Sequence, residues 1–175
     1  MSRFTKALAA ASLFALAAAA PPAQADEAQI ARGGYLVSVS GCNDCHTAGY
    51  FFGKPDMERY LAGSDVAFEI PGLGAFVGPN LTSDPETGLG NWTAAEIVTA
   101  LQTGERPDGR MLAPIMPWHA LANLTDEDVA AMAAFLQSLK PVKNQVPGPF
   151  GVGETVPTFM FRILPPGATV AAPPK

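Results

Sequence analysis

Cysteine is scarce in this 175-residue chain: Cys42 and Cys45 are the only two, three positions apart. A bridge between them would close a minute loop, remove little unfolded-state entropy and staple nothing. A disulfide-built scaffold is excluded, and if the thiols matter they matter chemically. Histidine is equally sparse, with only His46 and His119. A structural zinc ion needs four ligands, and these four residues are all that its preferred types offer. Basic side chains are outnumbered, 11 Lys and Arg against 16 Asp and Glu. That balance argues against nucleic acid and makes basic faces the favoured docking partners. Beyond the N-terminus no segment is long and apolar enough to span a bilayer, so the mature chain is expected to have no membrane span. No internal repeat is found.

The N-terminus itself carries a signal. Arg3 and Lys6 form a basic n-region, Ala7 to Ala20 is an apolar run, and Ala23-Gln24-Ala25 has the small-x-small form of a cleavage site. Residues 1–25 therefore read as a secretory signal peptide cleaved after Ala25, with a periplasmic destination. Without Arg3 and Lys6, 9 basic and 16 acidic side chains remain, a net charge of −7.

Helical spacing of Ile30, Tyr35, Leu36 and Val39 predicts a helix from Asp26 to about Ser40. Its Gly33-Gly34 pair is either a frayed, kinked turn or the site of close approach by another helix. Residues 47–91 are rich in Gly, Pro, Asp and Ser, with apolar runs on either side of Pro71-Gly72 that suggest a short hairpin. A second helix follows Thr93, which forms a capping box with Glu96, and it stops at Gly104. A third follows Thr125, with Asp126, Glu127 and Asp128 at its positive end and Val129, Met132, Ala133 and Leu136 on its buried face. After Pro141 the chain is Pro- and Gly-rich, with one apolar patch, TFMFRIL. Such a segment is expected to lie extended over the body or over a partner.

The sequence Cys42-Asn43-Asp44-Cys45-His46 is a C-x-x-C-H motif, the signature of covalent c-type haem attachment. Each thiol adds to one of two neighbouring vinyl groups, and the adjacent histidine then reaches the iron. A thioredoxin-like dithiol would want a βαβ context, whereas this motif follows a helix and precedes a loop. The second axial ligand is sought among the methionines and His119. Met57 lies in the early loop, Met132 on the apolar helix face and Met160 in the tail. Met111 and Met116 remain, in a non-helical stretch between the second and third helices. Met116 is flanked by Pro114 and Pro117, which limit backbone freedom there.

The runs GCNDCHT, GPNLTSDPETGLGNWTAAEIVTALQTG and RPDGRMLAPIMPWHALANLTDEDVAAMAAFLQSL together resemble class I cytochrome c. More narrowly they resemble the haem c modules that accept electrons from periplasmic alcohol, aldehyde and gluconate dehydrogenases. The resemblance covers about residues 30–143. It implies a mainly α, class I fold: three core helices around one covalent haem, with a loop and hairpin insertion over 47–78. On this reading residues 26–143 form a monohaem domain and 144–175 a Pro/Gly-rich C-terminal extension. It further implies that Cys42 and Cys45 form the thioethers, that His46 is the proximal ligand, and that Met116, of the M-P-[WY] segment, is the distal one. The carbonyl of Pro79, in G-P-N, would hold the other ring nitrogen of His46. Trp92 and Trp118 read either as packing at the haem edge or as ordinary aromatics. Arg110 reads either as a propionate partner or as a solvated loop arginine. Subunits of this family usually carry several such modules, whereas this chain has one C-x-x-C-H.

Two filled axial positions leave no open site for substrate, so the expected role is not enzymatic. It is single-electron transfer between redox partner proteins, from a dehydrogenase donor towards an oxidase or other acceptor. The alternatives are a haem sensor with a displaceable methionine and a non-catalytic haem subunit bound permanently to a dehydrogenase.

Overall fold

The computed structural model describes residues 25–168, so the expected signal peptide lies outside the described residues apart from Ala25. The Asp26 carboxylate accepts from the Gln29 N–H at 2.7 Å and starts helix α1 (Glu27–Val39), meeting one of the donors that a helix start leaves free. α1 buries Gly33, Leu36 and Val37. Gly41 then turns the chain into the short helix α2 (Cys42–His46), which carries the whole C-x-x-C-H motif.

Two 3-10 turns follow, Tyr50–Phe52 and Met57–Arg59. Strands β1 (Val66–Ile70) and β2 (Gly74–Val77) then pair antiparallel around Pro71-Gly72, as the two apolar runs predict. Helix α3 (Ala94–Thr103) has the full Thr93–Glu96 capping box and ends on left-handed Gly104. Helix α5 (Asp126–Ser138) is capped by the Thr125 hydroxyl. Between them lies α4 (Trp118–Leu121), in a stretch expected to be non-helical. Four residues are too few for hydrophobic periodicity to reveal, and the turn is set by Pro117 at its start.

The core draws Leu36 and Val37 from α1, Ile97 and Leu101 from α3, and Val129, Met132, Ala133 and Leu136 from α5. Leu61 and Leu121 complete it. Met132 is fully buried there, in the packing role its apolar stripe predicts. α1 and α5 cross at the Gly33-Gly34 pair, and of the two readings of that pair close approach is the one found. A methyl group at Gly33 would run into the Ala131 carbonyl oxygen and lie 2.8 Å from Phe135 Cβ, and one at Gly34 would lie 2.9 Å from the Phe135 ring. At the margin of the crossing Arg32 grips Asp128 through two hydrogen bonds, of 2.8 and 3.0 Å.

The C-terminal extension folds back on the hairpin. Phe150 exchanges two 2.9 Å backbone hydrogen bonds with Ala75. Strand β3 (Phe159–Arg162), from the TFMFRIL patch, pairs parallel to β1 and gives the sheet order β2-β1-β3. In that register Phe68 and Phe161 stack with centroids 5.7 Å apart, and Phe51 packs 5.1 Å from Phe161. Arg162 pairs with Glu69 across the same two strands.

Replacing Gly33 with alanine tests the helix crossing. Helix propensity alone would stabilise the variant by ~1 kcal/mol, whereas the clash with Ala131 and Phe135 is expected to destabilise it by ~2–3 kcal/mol. At Gly53, where nothing lies within 4 Å but φ is +70°, alanine is expected to cost only ~1 kcal/mol. Denaturant unfolding midpoints distinguish the two.

Candidate haem-binding site

Cys42 and Cys45 stand three residues apart on α2 and so share a helix face. Both are free thiols. Burial pushes the Cys42 thiol up to about 11, and burial, with Asp44 beside it, also raises Cys45. Both are therefore protonated at neutral pH. A dithiol oxidoreductase needs the reverse, a thiol stabilised as thiolate. Among the described residues no three His, Cys, Asp or Glu side chains gather as a metal-ion cage.

His46 is 5 % exposed, and its Nδ1 lies 2.7 Å from the Pro79 carbonyl oxygen. A carbonyl can only accept, so Nδ1 carries the proton and donates, and Nε2 is left with its lone pair. Burial lowers the His46 pKa against the smaller, opposing effect of the Pro79 bond. The ring is thus neutral and held in one tautomer, the state in which an imidazole ligates a metal.

The surroundings of His46 come from loops that sequence reasoning had left nearly blank. Gly78 lets its loop lie against α2: a Cβ there would collide with the Cys45 carbonyl and sit 3.4 Å from His46 Nδ1. The Gly63 N–H donates to the His46 carbonyl at 2.8 Å, and the Ser64 N–H to the Gly78 carbonyl at 2.9 Å. Leu61 is fully buried with φ +58°, a left-handed conformation that costs a non-glycine residue ~1–2 kcal/mol. It is held from both sides. Its N–H donates to Thr47 Oγ1 at 2.9 Å, and its carbonyl accepts from the Leu81 N–H at 2.8 Å. Only the G-P-N run signalled any of this in sequence, and there Pro79 alone drew a role.

Among the other candidates, Met116 is half-buried and packs against the same core as Cys42 and Trp92. Met111 is 55 % exposed and bridges to Glu105, and Met57 is 60 % exposed. His119 is exposed and stacks on Trp118 with centroids 3.4 Å apart. Trp92 is half-buried, with the Arg106 guanidinium 5.1 Å from its ring centroid. Arg110 stands in an exposed turn, 3.3 Å from Asp108, which Arg106 shares. Two protonated thiols on one helix face, free to add to vinyl groups, a neutral imidazole with an open nitrogen and a half-buried thioether are the groups that haem c would use.

The cytochrome c family model matches residues 30–140. The chain belongs to the cytochrome c family. It is 40 % identical over 151 residues to the cytochrome c subunit of alcohol dehydrogenase (quinone) from Gluconobacter oxydans, covering 85 % of this chain and 30 % of that protein. It is 37 % identical over 137 residues to the fructose dehydrogenase cytochrome subunit of Gluconobacter japonicus, covering 75 % of this chain and 26 % of the relative. With the gluconate 2-dehydrogenase cytochrome c subunit of Pantoea cypripedii the identity is 32 % over 120 residues, 68 % of this chain and 25 % of the relative. The chain thus spans about a third or less of the length of these curated relatives. As a cytochrome c it is an electron-transfer protein and not an enzyme, and membership implies covalently bound haem c. Its helices fit the class I arrangement.

Covalent attachment predicts that haem absorbance stays with the polypeptide after acid–acetone extraction and on a denaturing gel. A Cys42→Ala/Cys45→Ala double variant is expected to lose at least nine-tenths of it.

Proposed function

We propose that this cytochrome is a periplasmic single-electron carrier with one haem c, taking electrons from a dehydrogenase and passing them towards the respiratory chain. The observation that carries the reading is the neutral, buried His46 imidazole, fixed through Nδ1 by Pro79 with Nε2 left to ligate. Cys42 and Cys45 would tether the group, and Met116 would be the second residue to ligate its iron. Its place at the margin of the core, against the exposure of Met111, supports that choice. When bound, haem c supplies an iron that accepts and returns one electron. A methionine–histidine pair raises the potential at which it does so.

The remaining residues shape the pocket. α1, α3 and α5 are the three core helices, and Trp92 closes one border of the core. Arg110 is a propionate partner, a reading supported by the charge of its turn, where two arginines share a single aspartate. Residues 26–143 form the haem domain, and 144–175 the extension that covers the hairpin. The basic n-region, apolar run and Ala23-Gln24-Ala25 near the N-terminus support export. Among the described residues no helix is long and apolar enough to cross a membrane. The relatives' names as dehydrogenase cytochrome subunits support a dehydrogenase as donor. The acidic surface favours a basic patch on at least one partner.

Met116→Ala is expected to abolish the weak long-wavelength charge-transfer band of the oxidised protein. It should also lower the potential by on the order of 0.1 V or more, within the ≈ 0.8 V range that axial ligands set. Met111→Ala should leave both unchanged, and a lost band in that variant would move the assignment. The rate of reduction by the donor dehydrogenase should fall several-fold as the Debye length shrinks from about 30 Å to about 8 Å on raising salt. A salt-independent rate would remove the docking idea.

A further inference from the structure

We infer that Asn80 and Thr87, tied to the residues just beyond α5, position the proximal histidine by fixing the Pro79 carbonyl. The inference rests on the reading of His46 as the iron ligand. Pro79 and Asn80 share one planar peptide unit, so whatever fixes Asn80 aims the carbonyl that His46 Nδ1–H donates to. Asn80 is 2 % exposed, and all four of its side-chain hydrogen-bonding positions are used. Nδ2 donates to Thr87 Oγ1 at 3.0 Å and to the Val142 carbonyl at 2.7 Å. Oδ1 accepts from the Thr82 N–H at 2.9 Å and the Thr82 hydroxyl at 2.8 Å.

Thr87 is just as fully engaged. Its hydroxyl accepts from Asn80 and from the Asn144 N–H at 3.0 Å, and donates to Asp84 Oδ1 at 2.7 Å. Asn144 in turn donates through Nδ2 to the Ala62 carbonyl at 2.7 Å, next to Gly63, whose N–H holds the His46 backbone carbonyl. Both loops that touch His46 are therefore anchored to residues 142–144. With every donor and acceptor of the buried Asn80 amide and of the Thr87 hydroxyl matched, the network is stiff, because displacing Asn80 strands a polar group at ~1–3 kcal/mol. That stiffness keeps the Nδ1–H···O bond short. A strong bond there makes the imidazole a more basic ligand and favours oxidised iron.

The test uses the haem-loaded protein and two readouts, the midpoint potential and the exchange rate of the His46 Nδ1–H, followed by NMR in the reduced state. Thr87→Val keeps the side-chain shape and removes the shared hydroxyl. It is expected to shift the redox equilibrium about threefold towards the reduced form, ~28 mV for one electron at 59 mV per decade. Proton exchange should quicken at least ~10-fold. Thr87→Ser should restore both. Asn144→Ala, at a half-buried position, should move both readouts the same way through Ala62 and Gly63, and decides the matter if Thr87→Val does not fold. Wild-type potential and exchange in a destabilised Thr87→Val or Asn144→Ala protein would overturn the positioning role alone. An unchanged haem spectrum in His46→Ala would overturn the ligand assignment, and the positioning role with it.

Discussion

The hydrogen bond from His46 Nδ1 to the Pro79 carbonyl joins segments 33 residues apart in the chain, and the local structure on both sides is arranged around it. An imidazole buried this deeply cannot hold a proton on both nitrogens without a matched charge, so one donor bond must be supplied and the other nitrogen left free. Supplying it brings a backbone carbonyl against a helix only five residues long, which in turn requires Gly78 to have no side chain. The strained Leu61 and the hydrogen bonds that tie residues 61–64 to Thr47, Leu81, His46 and Gly78 hold the adjoining loop in step. A site assembled from loops becomes rigid because its backbone groups are paired with one another.

The helices provide the frame for those loops. α1 and α5 approach backbone to backbone at Gly33, and α3 adds Ile97 and Leu101 to the shared core. Cys42, Trp92 and Met116 all sit at the margin of that core. In the proposed function the covalently held group lies at this margin and adds its apolar surface to the buried interior. The same attachment then stabilises the loop-rich fold and shields the iron, which links folding directly to electron transfer.

What could be read from the sequence was what depends on near neighbours. Thr93 with Glu96, Gly104 and Thr125 are caps made within one helical turn, and each stands where its pattern predicts. C-x-x-C-H was legible because the chemistry itself fixes the spacing. Contacts between distant residues were less so. Gly33-Gly34 admitted two readings until Ala131 and Phe135 were seen beside it. Asn80 carried no sequence signal of its own, because its partner Val142 lies 62 residues away. Strand β3 was hidden in TFMFRIL: it is exposed along its length, so no buried face imposes an alternating pattern, and its pairing with β1 spans 93 residues.

As an electron carrier and not a ligand binder, this cytochrome would keep its iron closed by the chain, and His46 and Met116 are the residues proposed to hold it. The most direct measurement is the optical spectrum of the reduced protein at neutral pH before and after carbon monoxide is added. An unchanged spectrum is expected of iron held on both faces by the chain. A shifted Soret band would reveal an open or displaceable position and contradict the electron-carrier reading.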